Sequence, residues 1–169
     1  MRFRSSEILC NLTLTENRAL YKSMGFSDKD LEGPLIGIAN SWNELVPGHY
    51  NLRQLAEFVK KGIYRAGGAA VEFGVIGACD AQATGHDGQK FILPTRDLIA
   101  CDIESMAEAH RLDGLVLLGS CDKIVPGMLM AAARLNIPAI LLVGGPMAGG
   151  IRFDGRKSES TALYEAVGM

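Results

Sequence analysis

Residues 114–143 read GLVLLGSCDKIVPGMLMAAARLNIPAILLV, and this stretch decides the fold class. Gly114 to Leu118 is an apolar run of strand length, and Ala139 to Val143 is another. Between them, Pro126 to Leu135 repeats its apolar residues at helical period, with Pro126 suited to a first turn where its missing N–H costs little. Two apolar strands separated by a helix imply parallel neighbours buried on both faces and joined by a right-handed crossover.

The same rhythm extends towards the amino terminus. Strands are predicted at Leu35 to Ala39 and Val71 to Ala78, and helices at about His49 to Ala66, ended by Gly67 and Gly68, and at Pro94 to His110. A last helix is predicted to start near Ser158. The fold class is therefore α/β: a mostly parallel sheet with helices on both faces, flavodoxin-like, preceded by a short helical arm. Residues 1–33 are that arm, polar and without strand-like runs. It carries one predicted helix, Thr15 to Met24, with Thr15 as cap, Ala19, Leu20 and Met24 at helical spacing, and Gly25 as stop. Residues 34–169 form the α/β domain.

Composition narrows the function classes. A 48% hydrophobic content over 169 residues can bury a real core, which argues against disorder. With 17 Lys and Arg against 19 Asp and Glu, the formal net charge of -2 offers no attraction for nucleic acid or an anionic membrane. A small-molecule ligand is the expected partner. Apolar runs such as Ile137 to Gly145 are too short to span a bilayer, and Arg2 and Arg4 are not followed by a signal-peptide core, so a cytoplasmic protein is expected. Cys10, Cys79, Cys101 and Cys121 contain no CxxC pair, and a reducing compartment disfavours disulfides. They are read as free thiols or metal ligands.

In parallel α/β sheets, ligands bind beyond the carboxyl ends of the strands. Four loops qualify: Asn40 to Glu44 continuing through Gly48-His49; Cys79-Asp80 through Thr84-Gly85-His86-Asp87-Gly88; Ser120-Cys121-Asp122-Lys123; and Gly144 to Gly150. Cys121-Asp122-Lys123 sets a soft thiol, a hard carboxylate and an amine side by side. Thiolates select iron-sulfur clusters or zinc and carboxylates select magnesium or manganese, so one loop can serve two metal centres; equally, it can be a packed cysteine beside an exposed ion pair. Asp80 can hold a divalent cation or simply open a turn. His86 and His49 can each satisfy backbone groups instead of a ligand, and His110 reads as a helix cap or core neighbour. Gly144 to Gly150 matches neither GxGxxG nor a Walker A loop, and no GxSxG or HExxH occurs. A zinc site built from Cys79, Cys101 and Cys121 with the histidines has irregular spacing.

At these loops the sequence resembles the dihydroxy-acid and sugar-acid dehydratases, a family that includes 6-phosphogluconate dehydratase. The residues that carry the resemblance are Gly37 to Glu44, Val46-Pro47-Gly48-His49, Asp80 with Gly85-His86, Leu93-Pro94-Thr95-Arg96, Cys121 to Ala131 and Arg134 to Met147. The resemblance implies a hydro-lyase that removes water from a 2,3-dihydroxy acid to leave a 2-keto acid, as in branched-chain amino-acid biosynthesis. It implies an iron-sulfur cluster ligated by Cys121, and Mg2+ ligated by Asp80 and by Lys123 carboxylated on its amine. Asp122, His86, Gly48 and His49 are neighbours. Gly48 stands where many members have a cluster cysteine, which points to a 4Fe-4S rather than a 2Fe-2S cluster. Where members often read Asp-Gly-Ile-Ala-Met-Gly-His, this chain has Asp80-Ala81-Gln82-Ala83-Thr84-Gly85-His86, a change in substrate packing that keeps the ligand. The family implies a homodimer, and a further cluster cysteine, a glutamate ligand and a serine base beyond Met169. The expectation is thus an incomplete part of a larger amino-terminal domain, a truncated portion with no catalytic base of its own and little or no activity alone. The alternatives are a non-catalytic α/β domain that binds a small ligand or a partner chain with Cys121 inert, a zinc-binding regulatory domain, or a sugar-acid dehydratase.

Overall fold

The computed structural model describes residues 3–145 together with 152–153, 156–157, 162 and 167. Four strands, β1 (Leu35–Asn40), β2 (Ala69–Gly74), β3 (Gly114–Gly119) and β4 (Ala139–Val143), form one sheet in the order β2-β1-β3-β4. Every pairing in it is parallel. The predicted flavodoxin-like α/β class is observed.

Alternation along the strands divides the core between two faces. Ile38, Ala70 and Leu118 pack with Ala56, Val59 and Ile63 of α3 (Leu52–Arg65). On the other face Leu35, Ala39, Leu115 and Leu117 meet Ile99, Ile103 and Ala107 of α5 (Ile92–Ala109) and Met128, Ala131 and Leu135 of α6 (Ile124–Leu135). α3 ends where Gly67 takes φ +82, and α6 ends on Asn136 at φ +48, both left-handed conformations that glycine and asparagine tolerate best.

Several boundaries differ from the predictions, each for a tertiary reason. The strand predicted at Val71 to Ala78 is Ala69–Gly74, because its neighbour β1 stops at Asn40, whose carbonyl accepts the last hydrogen bond from Val75 N–H. α3 starts at Leu52 rather than His49, since the preceding residues turn to bury the histidine. α5 and α6 each start two residues before the predicted proline, leaving Pro94 and Pro126 within first turns. His110 is the C-cap of α5. The helix start predicted near Ser158 and residues 146–150 of the last loop lie outside the described residues, while Ala162 and Val167 beyond that start are helical. A two-stranded antiparallel pair not anticipated from sequence joins β5 (Arg152–Phe153) to β6 (Arg156–Lys157).

The arm holds more structure than its single predicted helix. It contains α1 (Ser6–Leu9) and α2 (Thr15–Ser23) as well as 3-10 turns at Leu12–Leu14 and Asp30–Glu32. Leu9, Tyr21 and Leu31 belong to the same apolar cluster as α5 and α6. The Asp113 carboxylate accepts hydrogen bonds from Ser5 N–H and Oγ and from Leu35 N–H, tying the arm to the start of β1. No helix among the described residues is long and apolar enough to cross a membrane.

Candidate metal centre

The carboxyl ends of β1, β2 and β3 bring three loops together around Cys121. Directly after β3, Cys121 takes φ +73, a left-handed backbone that costs a non-glycine residue about 1–3 kcal/mol and persists only where the surroundings enforce it. Its half-buried thiol donates to Asp80 Oδ1 at 3.6 Å and to Asp122 Oδ1 at 3.7 Å. Asp80 comes from the loop after β2, where it opens the one-turn helix α4 (Asp80–Ala83). Lys123 Nζ donates to Asp80 Oδ2 at 3.2 Å and to Asp122 Oδ2 at 2.7 Å, closing a cluster of four side chains.

The charges of this cluster depend on one another. Burial pushes the Cys121 thiol up to about 12, with Cys79 and Asp80 adding to the rise. Burial works to raise the Asp80 carboxyl as well, but its neighbours Asp122 and Lys123 hold it below the usual carboxylate range. Hydrogen bonds to Asp122 and Asp80 raise Lys123. The metal-free site is thus a neutral thiol beside an ammonium shared by two carboxylates. Because the ammonium supplies the positive charge those carboxylates attract, a divalent cation there must displace or convert it.

The sequence paired Cys121 with Asp80 and Lys123 through resemblance, and the folded chain brings all three together. It also brings in Cys79, whose Sγ lies with Cys121 Sγ and an Asp80 oxygen in a group with every separation within 4.8 Å. Two sulfurs bound tetrahedrally to one metal at about 2.3 Å stand roughly 3.8 Å apart, so the donors are near the spacing of a shared metal atom. The predicted zinc set does not assemble among the described residues. Cys101 lies on α5, where it accepts from Arg134, and no histidine joins Cys79 and Cys121.

His49 and Asn43 hold this arrangement in place. His49 is fully buried, with Nδ1 2.7 Å from the Ser41 carbonyl and Nε2 3.1 Å from the Ser120 carbonyl. The ring fastens the loop after β1 to the residue just before Cys121. Asn43 Nδ2 donates to the carbonyls of Ser41 and Gly77, adding the loop after β2. Gly77 is required there: a Cβ would come within 2.6 Å of His49 Nδ1 and Ser41 O. His86 stays apart from the cluster; its exposed ring accepts from Gly88 N–H and lies 3.0 Å from the Gln82 carbonyl. A Cβ at Gly48 would stand 2.9 Å from Ser120 Oγ and 3.3 Å from the Gly145 carbonyl, so a side chain there requires the Ser120 hydroxyl to turn aside. An open groove of ≈ 1020 Å³ beside β2, lined in part by Trp42, Arg53 and Tyr64, contains none of the cluster residues.

With this geometry established, comparison with known proteins identifies what it is similar to. The family model described as dihydroxy-acid/6-phosphogluconate dehydratase N-terminal matches residues 33–169. A dihydroxy-acid dehydratase of Methanococcus vannielii is 53% identical over 165 residues, covering 98% of this chain and 30% of that protein. One from Pyrococcus furiosus shows the same identity and coverage. One from Methanococcus maripaludis is 56% identical over 152 residues, covering 90% of this chain and 28% of that protein. The chain spans less than a third of the length of these relatives.

Proposed function

The chain belongs to the dihydroxy-acid/6-phosphogluconate dehydratase family by its amino-terminal region, and on that premise we propose that it contributes the metal centre of a hydro-lyase. The reaction is loss of water from a 2,3-dihydroxy acid to give a 2-keto acid. The relatives named dihydroxy-acid dehydratase favour a substrate of branched-chain amino-acid biosynthesis over a sugar acid. The observation that carries this reading is the meeting of the Asp80 carboxylate, from the loop after β2, with the thiol, carboxylate and amine of Cys121-Asp122-Lys123, from the loop after β3.

The donor set suits both groups that the family employs. Cys121 is a soft ligand for an iron-sulfur cluster, and Asp80 is a hard ligand for Mg2+. When bound, the cluster supplies a Lewis acid for the departing C3 hydroxyl and Mg2+ neutralises the substrate carboxylate and C2 oxygen. The residues themselves do the positioning. Cys121 would give its proton to solvent to become an anionic ligand of the cluster, and Asp80 would offer a carboxylate oxygen to Mg2+. Lys123 carries a charge that repels Mg2+ as an ammonium; addition of CO2 to its deprotonated Nζ, with two protons released to solvent in all, would make it a carbamate and a second hard oxygen donor beside Asp80. His49 and Asn43 keep the three loops in register.

Iron and acid-labile sulfide per chain, measured after anaerobic preparation of the native protein and Cys121→Ser, test the reading. Both elements are expected in the native chain and neither in the variant. A native chain that holds neither would remove the cluster from this account.

A further inference from the structure

We propose that Cys79 is a second thiolate ligand of the metal centre held by Cys121. This rests on the metal-centre reading above and adds a ligand that the Cys-Asp-Lys block does not contain. Cys79 immediately precedes Asp80 as the N-cap of α4, and its Sγ and an Asp80 oxygen both reach the group they form with Cys121. Of the other cysteines, Cys10 is an exposed residue ending α1, and Cys101 is an exposed residue of α5 beside Arg134. Gly48 brings no side chain, and the nearness of Ser120 Oγ leaves none room to enter unless Ser120 moves. Cys79 is therefore the described thiol placed to assist Cys121.

The electrostatics point the same way. Cys79 Sγ, Cys121 Sγ and an Asp80 oxygen lie within 4.8 Å of one another. Two thiolates and a carboxylate would repel one another in this half-buried site, and a thiophilic cation between them converts that repulsion into coordination. As each metal–sulfur bond forms, the thiol gives its proton to solvent, so metal binding releases protons.

Co2+ is a suitable probe, because its sulfur-to-metal charge-transfer absorption reports directly on thiolate ligands. Titration of the anaerobic chain, after chelation has removed its iron and sulfide, is expected to develop this absorption in the native protein and in Cys101→Ser. Cys79→Ser and Cys121→Ser should each lose about half of the intensity, and the double variant all of it. Native intensity in Cys79→Ser, with loss in Cys121→Ser, would overturn the role of Cys79 and leave that of Cys121 standing. No thiolate absorption in the native chain would overturn both. A second measurement needs no variant: Co2+ should slow alkylation of Cys79 in the native chain at least about tenfold while leaving exposed Cys101 unchanged. An unshielded Cys79 would overturn the inference even if Cys79→Ser fails to fold. Two thiolates on Co2+ in a chain without iron and sulfide would support Cys79 as a ligand while rejecting the cluster.

Discussion

Cys121 joins strained backbone, a thiol that resists ionisation and close contact with two carboxylates. Its raised pKa has a direct chemical consequence. In the metal-free chain at pH 8 the thiolate is a minute fraction, so Cys121 should alkylate at least about tenfold more slowly than exposed Cys10 and Cys101. Because the protonated form dominates below about 12, the rate should keep climbing through pH 10 without a plateau. Peptide mapping after iodoacetamide labelling measures this, and equal rates at all three thiols would contradict the burial argument. The role of Cys121 is legible in sequence because thiol, carboxylate and lysine are contiguous. Its pairing with Cys79 is not, since the two residues meet only when the ends of β2 and β3 are aligned across β1. The histidines separate in the same way. His86 is occupied by its own loop, while His49 is buried because the loop after β1 folds over the residue preceding Cys121.

Among the helices, α6 lies close against α5 at Gly127. A Cβ there would lie 2.8 Å from the Arg96 carbonyl and 3.0 Å from Ile99 Cβ, in the backbone and branched side chain of α5. Helix propensity alone would make Gly127→Ala stabilising by about 1 kcal/mol, whereas overpacking costs about 1–3 kcal/mol. The backbone contact cannot be relieved by a rotamer change, so overpacking should prevail. A fall in the urea midpoint with unchanged slope is expected, and a rise would show that the helices separate freely. Both helices were legible from their period, although their starts were placed at the prolines, which are tolerated anywhere in a first turn. The first helix of the arm leaves no periodic signal for another reason. α1 is too short to be stable alone and forms because Leu9 packs into the core and Ser5 binds Asp113, which is distant in sequence.

Among the described residues, both faces of the sheet are left partly uncovered at its β4 side. β4 is apolar throughout, yet Ile140 is 64% and Val143 51% exposed, and Leu129 of neighbouring α6 is 51% exposed. Among the described residues β4 is an edge strand, and an apolar edge of this kind invites pairing between chains. Ile140→Lys should lower the concentration-dependent light scattering of the purified chain while leaving its circular dichroism intact; undiminished scattering would place the sticky surface elsewhere. The sequence by itself determined the alternation of strand and helix, the parallel α/β class and the loops where chemistry concentrates, because hydrophobic periodicity and contiguous motifs are local properties of the chain. Tertiary structure alone decided that Cys79 reaches Cys121, that His49 clasps two loops instead of offering a ligand, and that the polar arm belongs to the main core. These outcomes depend on strand order and register, which juxtapose residues far apart in the chain and leave no periodic signal in it.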